Sequence, residues 1–587
     1  MSSYSATAAT RRGSVVPPLS GIESNGAQNP IPQKCDVLIS GTGLVESILA
    51  AALAWQGSSV IHIDPNPYYG DSNSCFNIDQ LLAWVDRVNR PPSSSELAAE
   101  RIFSNARLYM PRPLDSKKFL VDLSPKIMFA RSDLLSLLIK SRVFRYLEFK
   151  ALGNFHTYEN DTFDKVAGSK EDIFTDQSLS LVTKRNLMRF MKFVLEWEEN
   201  TELWKPYQNE SIEKFLTEKF KLEPQQITEL VLSIGLCQSL EVATPVALSR
   251  IKRYLVSLDI YGNFPVLFSM YGGAGELAQG FCRSAAVAGA TYKLGTAITS
   301  VDDKLVTLND GSRIQVAEKI VLSPSSAVKK ENTKNGILTR LVAFVAKDCK
   351  EWFAENEQAA LVVFPPSTLS TNNKTSVQAI ILGSGSGQCP EGVSVWYLSS
   401  TEQDPTKAQR DLEEAFTKLE ASILRESTED FEFENIDESD VSYRPDGMPV
   451  LSSVKLGQSM QNFVPREKLQ YLLKLSFVEK VEYSAQPDAP ILPEETPEAS
   501  PATVLRAPYG LSEISYDGIL TQVKNLYTKI VGSDDDFFDV DFEDEDEASA
   551  GANQTNSSAP NAIDASTVNQ IDSRDDDIDE FGQDMEL

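Results

Sequence analysis

Gly41, Gly43 and Asp64 stand at the spacing with which a chain holds a dinucleotide. The apolar run Val37-Leu38-Ile39 leads into Gly41-Thr42-Gly43, and a helical stretch then a second apolar run end at Asp64. In such a corner the glycines admit a pyrophosphate, the helix N-terminus binds its charge, and an acid about 20 residues on takes a ribose hydroxyl. Here the third glycine of G-x-G-x-x-G is replaced by Glu46. A carboxylate in the first helical turn is favoured by the same dipole that favours a phosphate. Glu46 can thus take the anion's place and repel a diphosphate, which makes Gly41, Gly43, Glu46 and Asp64 a vestigial motif. The alternative is that Glu46 points aside and a flavin binds.

Other reactive groups are scarce. The two histidines, His62 and His156, lie in strand-like runs and read as structural. "GSGSGQ" (383–388) lacks the glycine spacing of a nucleophile elbow and reads as a flexible hairpin loop. Neither a G-x-x-x-x-G-K-[ST] loop nor an H-E-x-x-H motif occurs. Six scattered cysteines without a C-x-x-C pair suit a reducing cytosol and no metal site. One more constellation stands out in "YGGAGELAQGFCRSAAVAGATY" (271–292). With a helix starting near Gly275, Glu276, Gln279 and Arg283 fall on one polar stripe, and Leu277, Phe281, Ala285 and Ala288 pack inward. Such a stripe is either a solvated face or a binding surface.

The elements that position these residues alternate in type. Residues 35–64 give strand–helix–strand, with Gly57 as a left-handed helix stop. Residues 89–101 read as an exposed insertion. From 126 to 261 the pattern is helical, with Ser132 as a cap, Pro224 as a helix start and Thr244-Pro245 as a cap and first turn. A short β-rich excursion at 149–161 interrupts it. Beyond 262 come strands at 297–323 around an Asp310-Gly311 turn, and strand-like runs at 337–345, 360–364, 377–382 and 393–398. A helix opens at Asp404-Pro405, the acidic run 426–440 reads as a solvated loop, residues 485–502 as a Pro/acid linker and 517–531 as a last amphipathic helix.

The fold class expected is therefore α/β: a discontinuous FAD/NAD(P)-binding-like platform (33–125 and 262–532) with an inserted all-α domain (126–261). Residues 1–32 read as a disordered tail, with a transit peptide as the alternative. Residues 534–587 hold 19 acids against the single base Arg574, so the other 533 residues carry only −11 of the formal charge of −29. The acidity is that of a solvated tail, placed at 533–587, and nucleic acid is not an expected partner. No apolar run reaches membrane-spanning length, which suits a soluble, cytoplasmic protein.

"SGTGLVES", "IHIDPNPYYGD", "VDLSPKIMFARSDLLSLLIKSRVFRYLEFK" and "YGGAGELAQGFCR…GATY", in this order, resemble the superfamily of Rab GDP-dissociation inhibitors and Rab escort proteins. "VAGSKEDIFTDQSLSLVTKRNLMRFMKFVLEWEE" (166–199) and the Phe-Cys-Arg of "GFCRSAAV" are more similar to the escort branch. The resemblance implies a flavoprotein-like fold without cofactor or catalysis, acting as the accessory component of Rab geranylgeranyltransferase. Implied partners are GDP-bound Rab before and after prenylation, the transferase heterodimer, the geranylgeranyl lipid (accepted by the helical domain) and, transiently, membrane. The Rab-binding residues it implies are Tyr69, Glu276, Gln279, Arg283 and Thr291. Pro65, Asp71 and Lys293 depart from the related inhibitors, which usually have arginine, glycine and an apolar residue there. Two alternatives stand beside this one: a dissociation inhibitor that only recycles prenylated Rab, and a flavin-dependent oxidoreductase.

Overall fold

The structure is a computed structural model that describes residues 31–90, 102–177, 179–325, 335–354, 356–422, 425–427, 441–443, 449–451, 463–465, 471–482 and 503–540. The terminal stretches 1–30 and 541–587, the core of the insertion (91–101), the acidic run 428–440 and the linker-like 485–502 lie outside the described residues.

Strand β1 (Lys34–Ser40) is covered on both faces, which is why Val37, Leu38 and Ile39 run apolar without alternation; all three are fully buried. It pairs in parallel with β2 (Val60–Ile63) and with β4 (Arg313–Leu322), and β2 in turn with β3 (Thr291–Lys293). Strands Leu305–Leu308 and Ile298–Asp302 extend this seven-stranded sheet beyond β4, and Val504–Arg506 joins β4. Between β1 and β2 runs α1 (Leu44–Trp55), apolar on all sides and accordingly buried. It ends as its sequence predicts: Gly57 takes φ +88°, and the Ser58 amide donates to the Leu53 carbonyl at 3.1 Å, closing a Schellman turn. Asp310-Gly311 makes the expected tight turn, with Gly311 at φ +84°.

A second sheet has eight strands. In spatial order they are Phe103–Tyr109, Tyr471–Val481, Gly336–Val345, Ser394–Ser400, Val377–Leu382, Ala359–Phe364, Asn154–Glu159 and Thr162–Lys165. This corrects the domain limits expected from the sequence. The excursion near 149–161 is no interruption of a helical domain, since Asn154–Glu159 continues the large sheet beside Ala359–Phe364. Likewise Met128–Phe129 and Phe149–Leu152 flank Val266–Ser269 in a three-stranded sheet. Helix α2 (Asp133–Lys140), capped by Ser132 as expected, packs Leu134, Leu135 and Leu138 into the cluster around α1. The helical unit therefore begins near residue 166. It contains α3 (Lys170–Thr175), α4 (Leu181–Leu195), α5 (Thr244–Leu255) and two π-helical stretches, Leu216–Phe220 and Glu229–Ile234. Thr244 is not the cap of α5 but its first residue, and its hydroxyl donates to the Glu210 carbonyl at 3.1 Å.

The start of the acidic tail is also corrected. After α7 (Ile519–Val531), residues 534–540 fold back, and Phe538 is fully buried and Phe537 nearly so.

Charge holds the helical unit to the C-terminal segment. Arg250 and Arg253 of α5 both reach Glu513, Arg250 at 3.1 Å, and Arg253 also reaches Asp517 at 2.9 Å. Lys126 donates to the carbonyls of Leu511 (3.0 Å), Glu513 and Ser515. Although burial opposes its charge, the arginines and Lys126 pull the Glu513 carboxyl down to about 2. Its contribution is thus present above the ordinary carboxylate range and is lost as pH falls through about 2. Replacing Glu513 by Ala should remove the carboxylate shared by Arg250 and Arg253 and cost about 3–5 kcal/mol, read by denaturant unfolding at neutral pH.

Candidate functional site

At the first corner the glycines are occupied by the chain itself. Gly41 has φ +101°, and a Cβ there would lie 2.4 Å from the Ser323 Cβ at the end of β4. A Cβ on Gly43 would lie 2.6 Å from Oε2 of Glu46, whose carboxyl is folded over the helix N-terminus and accepts from its own amide. The next donors are also taken. Leu44 N–H donates to Asn73 Oδ1 at 3.1 Å, and Thr42 N–H to Asp64 Oδ2 at 2.7 Å. Asp64 further accepts from the Thr42 hydroxyl (2.6 Å) and the Asn66 amide (2.7 Å), so the acid placed to hold a ribose is consumed internally.

Burial pushes Asp64 up to about 6 against these hydrogen bonds, and pushes Glu46 well above the carboxylate range, with help from nearby Asp71. The group over the helix start is thus driven toward a neutral acid rather than the full negative charge expected for it. His62 is lowered to about 4 by burial and is neutral. Its Nε2 lies 2.5 Å from the Gly41 carbonyl, which can only accept, so Nε2 carries the proton and Nδ1 accepts from the Tyr292 hydroxyl at 3.1 Å.

Helix α6 (Ala274–Val287) packs against α1 with Ala274, Leu277, Ala278, Phe281, Cys282 and Ala285 inward, all fully buried. Its start is fixed by Asp122. The Ala274 amide donates to Asp122 Oδ2 at 3.4 Å, and Gly273 takes φ +54° where a Cβ would stand 1.8 Å from that oxygen. Burial raises Asp122 to about 7. The outward stripe is the expected one: Glu276 and Gln279 are half-buried and Arg283 is exposed. Glu276 accepts no hydrogen bond among the described residues, and burial raises its pKa. The Arg283 guanidinium stacks 4.4 Å above the Tyr146 ring. Cys282 meets Ser47 of α1 at 3.2 Å on the inner side.

Tyr292 connects this helix to the remaining candidates: it bonds His62, and its ring lies 6.1 Å from that of Tyr69. Thr291 precedes it, half-buried on the edge strand β3.

The family profile for GDP dissociation inhibitors matches residues 31–438. The chain belongs to the GDP dissociation inhibitor family. A Saccharomyces cerevisiae protein named Rab proteins geranylgeranyltransferase component A is 50% identical over 572 residues, covering 94% of this chain and 92% of its own. Arabidopsis thaliana Rab escort protein 1 is 29% identical over 438 residues, 63% of this chain and 77% of its own. A solved Rab GDI structure from Plasmodium falciparum shares the fold, with a TM-score of 0.59 at 19% identity over 85% of this chain and 99% of that one.

Two of the three residues expected to depart from the related inhibitors have local reasons. Asp71 has φ +45°, a conformation in which glycine is the ordinary choice and aspartate is tolerated, and it accepts from Ser325 at 3.0 Å. Lys293 pairs with Asp310 at 2.5 Å, which lowers Asp310 to about 2. Pro65 is buried.

The Tyr69 hydroxyl is buried without a hydrogen-bond partner among the described residues. One expectation needs correction. The "GSGSGQ" segment is a packed turn: Gly387 leaves room for the Tyr271 ring, and the Ser386 carbonyl accepts from the Tyr271 amide at 2.9 Å.

Sequence reasoning missed Asp122, Asn73, Tyr146 and Tyr292. The only signal for Asp122 was indirect: Gly272-Gly273 before α6 suggests a close approach of something to the helix start.

Because its pKa is raised, folded Glu46 keeps a proton that the unfolded chain has released. Its share of stability therefore falls as pH rises out of the ordinary carboxylate range. Glu46→Gln should leave the melting temperature at neutral pH unchanged or higher and flatten its decline as pH rises above the ordinary carboxylate range. A drop of several degrees would instead show that an ionised carboxylate is required there.

Proposed function

We propose that this protein is a non-catalytic escort factor. It receives a GDP-loaded Rab-type GTPase on the α6 face, presents it to a geranylgeranyltransferase heterodimer, and shelters the attached lipid until delivery to a membrane. The observation that carries this reading is the α6 face: a helix locked at its start by Asp122 turns Glu276, Gln279 and Arg283 outward. Beside it lies a corner whose anion-binding amides are already used. The names of the yeast and plant relatives fit the same role.

The chemistry follows from these groups. Arg283 is a bidentate donor for a carboxylate on the GTPase, and its stacking on Tyr146 holds the guanidinium plane ready. Glu276 offers the complementary acceptor. Tyr69 and Thr291 support the platform through Tyr292 and its neighbouring strand, with Tyr69 acting through its ring.

A twenty-carbon prenyl chain gains about 0.8 kcal/mol for each CH₂ buried, too much to be left in water. The helical unit has a cavity of about 20 Å³ lined mainly by apolar side chains, among them Ile173, Leu187, Met191 and Leu230, with Gln226 and Glu229 also on its wall. Such a space holds about one water-sized group, so the lipid requires the helices to part. The π-helical stretch Glu229–Ile234 on its wall is the natural place to give, since irregular turns are easier to rearrange. Near this cavity Phe174, Leu181 and Val182 are 61%, 85% and 66% exposed, an apolar patch suited to docking the heterodimer.

The two surfaces should separate in a reconstitution with Rab, the heterodimer and the lipid donor. Arg283→Glu should weaken Rab binding by about 100-fold and leave the heterodimer bound, as loss of a charged contact predicts. Phe174→Ala should weaken the heterodimer by about tenfold and leave Rab bound. Failure of the unaltered chain to retain the heterodimer would favour a factor that only recycles prenylated Rab. Stoichiometric flavin in the native protein would overturn both readings.

A further inference from the structure

Residues 534–540 lie across an apolar groove between α6, α7 and the end of α1. Phe538 meets Phe281 of α6 with ring centres 6.3 Å apart, and Phe537 packs edge-on against Tyr527 of α7 at 5.1 Å. Around this pair the groove is basic: Lys524 pairs with Asp534 at 3.3 Å and lies 5.8 Å from the Phe537 ring, and Lys140 donates to the Phe537 carbonyl at 3.4 Å. Gln56 donates to the Asp536 carbonyl.

Among the described residues little else holds the segment: it pairs with no strand, its own backbone bonds are two short turns (Phe537 to Asp534 and Asp539 to Asp536, both 3.1 Å), and Phe538 sits at φ +52°. That conformation is unfavourable for a bulky residue and persists only under external constraint. Two aromatic anchors on an acidic, strained, otherwise unpaired stretch have the construction of a bound peptide, not of a core element.

We propose that Asp534–Val540 is a displaceable strap, and that the groove beneath it is a recognition site for an acidic peptide carrying two adjacent aromatic residues, supplied in the resting protein by the chain itself. Since Phe281 is on the inner side of α6, release of the strap loosens the support of the helix that carries Glu276, Gln279 and Arg283.

The test uses the full chain and a fluorescent peptide with the sequence of Ser533–Val540. The double substitution Phe537→Ser and Phe538→Ser empties the groove. The altered chain should bind the peptide at least about tenfold more tightly than the unaltered chain, because the strap competes in proportion to the time it is closed. A peptide with serines in place of both phenylalanines should not bind. In the unaltered chain, amide hydrogens of 537–540 should exchange through a local opening that leaves α7 protected. Equal peptide binding to both chains, no binding to a folded double variant, or exchange of the strap only together with α7 would overturn the proposal. A double variant that cannot fold would overturn it too, since the segment would then be an obligatory part of the core.

Discussion

The amide donors at the start of α1 are satisfied from within the chain, and the arrangement of the platform follows from that. A free helix N-terminus at the end of a parallel strand attracts an anion. Here Asp64, Asn73 and the Glu46 side chain supply acceptors in its place. Each acceptor ties down a different part of the chain. Asp64 draws the end of β2 onto Thr42, and Asn73 draws in the loop that follows Tyr69. Gly41 lets Ser323 close the far side. What would be a solvated crevice in a dinucleotide protein becomes a rigid joint, at the cost of burying carboxyl groups that are driven toward their neutral forms.

Rigidity at that joint is passed outward by packing. The small residues of α1 allow α6 to lie close, Cys282 meets Ser47, and the His62–Tyr292–Tyr69 group fixes β3 against β2. Asp122 then sets where α6 begins, and hence which three side chains its outer face shows. The polar groups left open beside this joint are thus on the outer face of a helix and not in the crevice.

The helical unit is built on a different balance. Its interior is aromatic and apolar, with the Phe220 ring meeting both Phe190 and Phe215, and its attachment to the rest relies partly on the buried charges around Glu513. Two π-helical stretches and a nearly closed cavity interrupt that packing.

The order of elements, the β1–α1–β2 corner, the left-handed Gly57, the strands beyond 336 and the polar stripe of α6 were all legible in the sequence. Each is a local property, set by apolar periodicity, glycine conformation or capping over a few residues. The sequence also showed that Glu46 stands where a glycine is expected. It did not show that Asn73 and Asp122 complete two helix starts, that the Tyr69 hydroxyl is buried, or that residues 154–165 join a sheet made mostly of strands 200 or more positions later. Nor did it reveal Phe537 and Phe538 buried against α6 and α7, because an acidic run reads as solvated until a groove is present to receive two rings. Local pattern decides what a segment can become. Which side chain meets which distant backbone group, and which carboxyl is buried enough to lose its charge, is decided only when the chain closes and water is excluded.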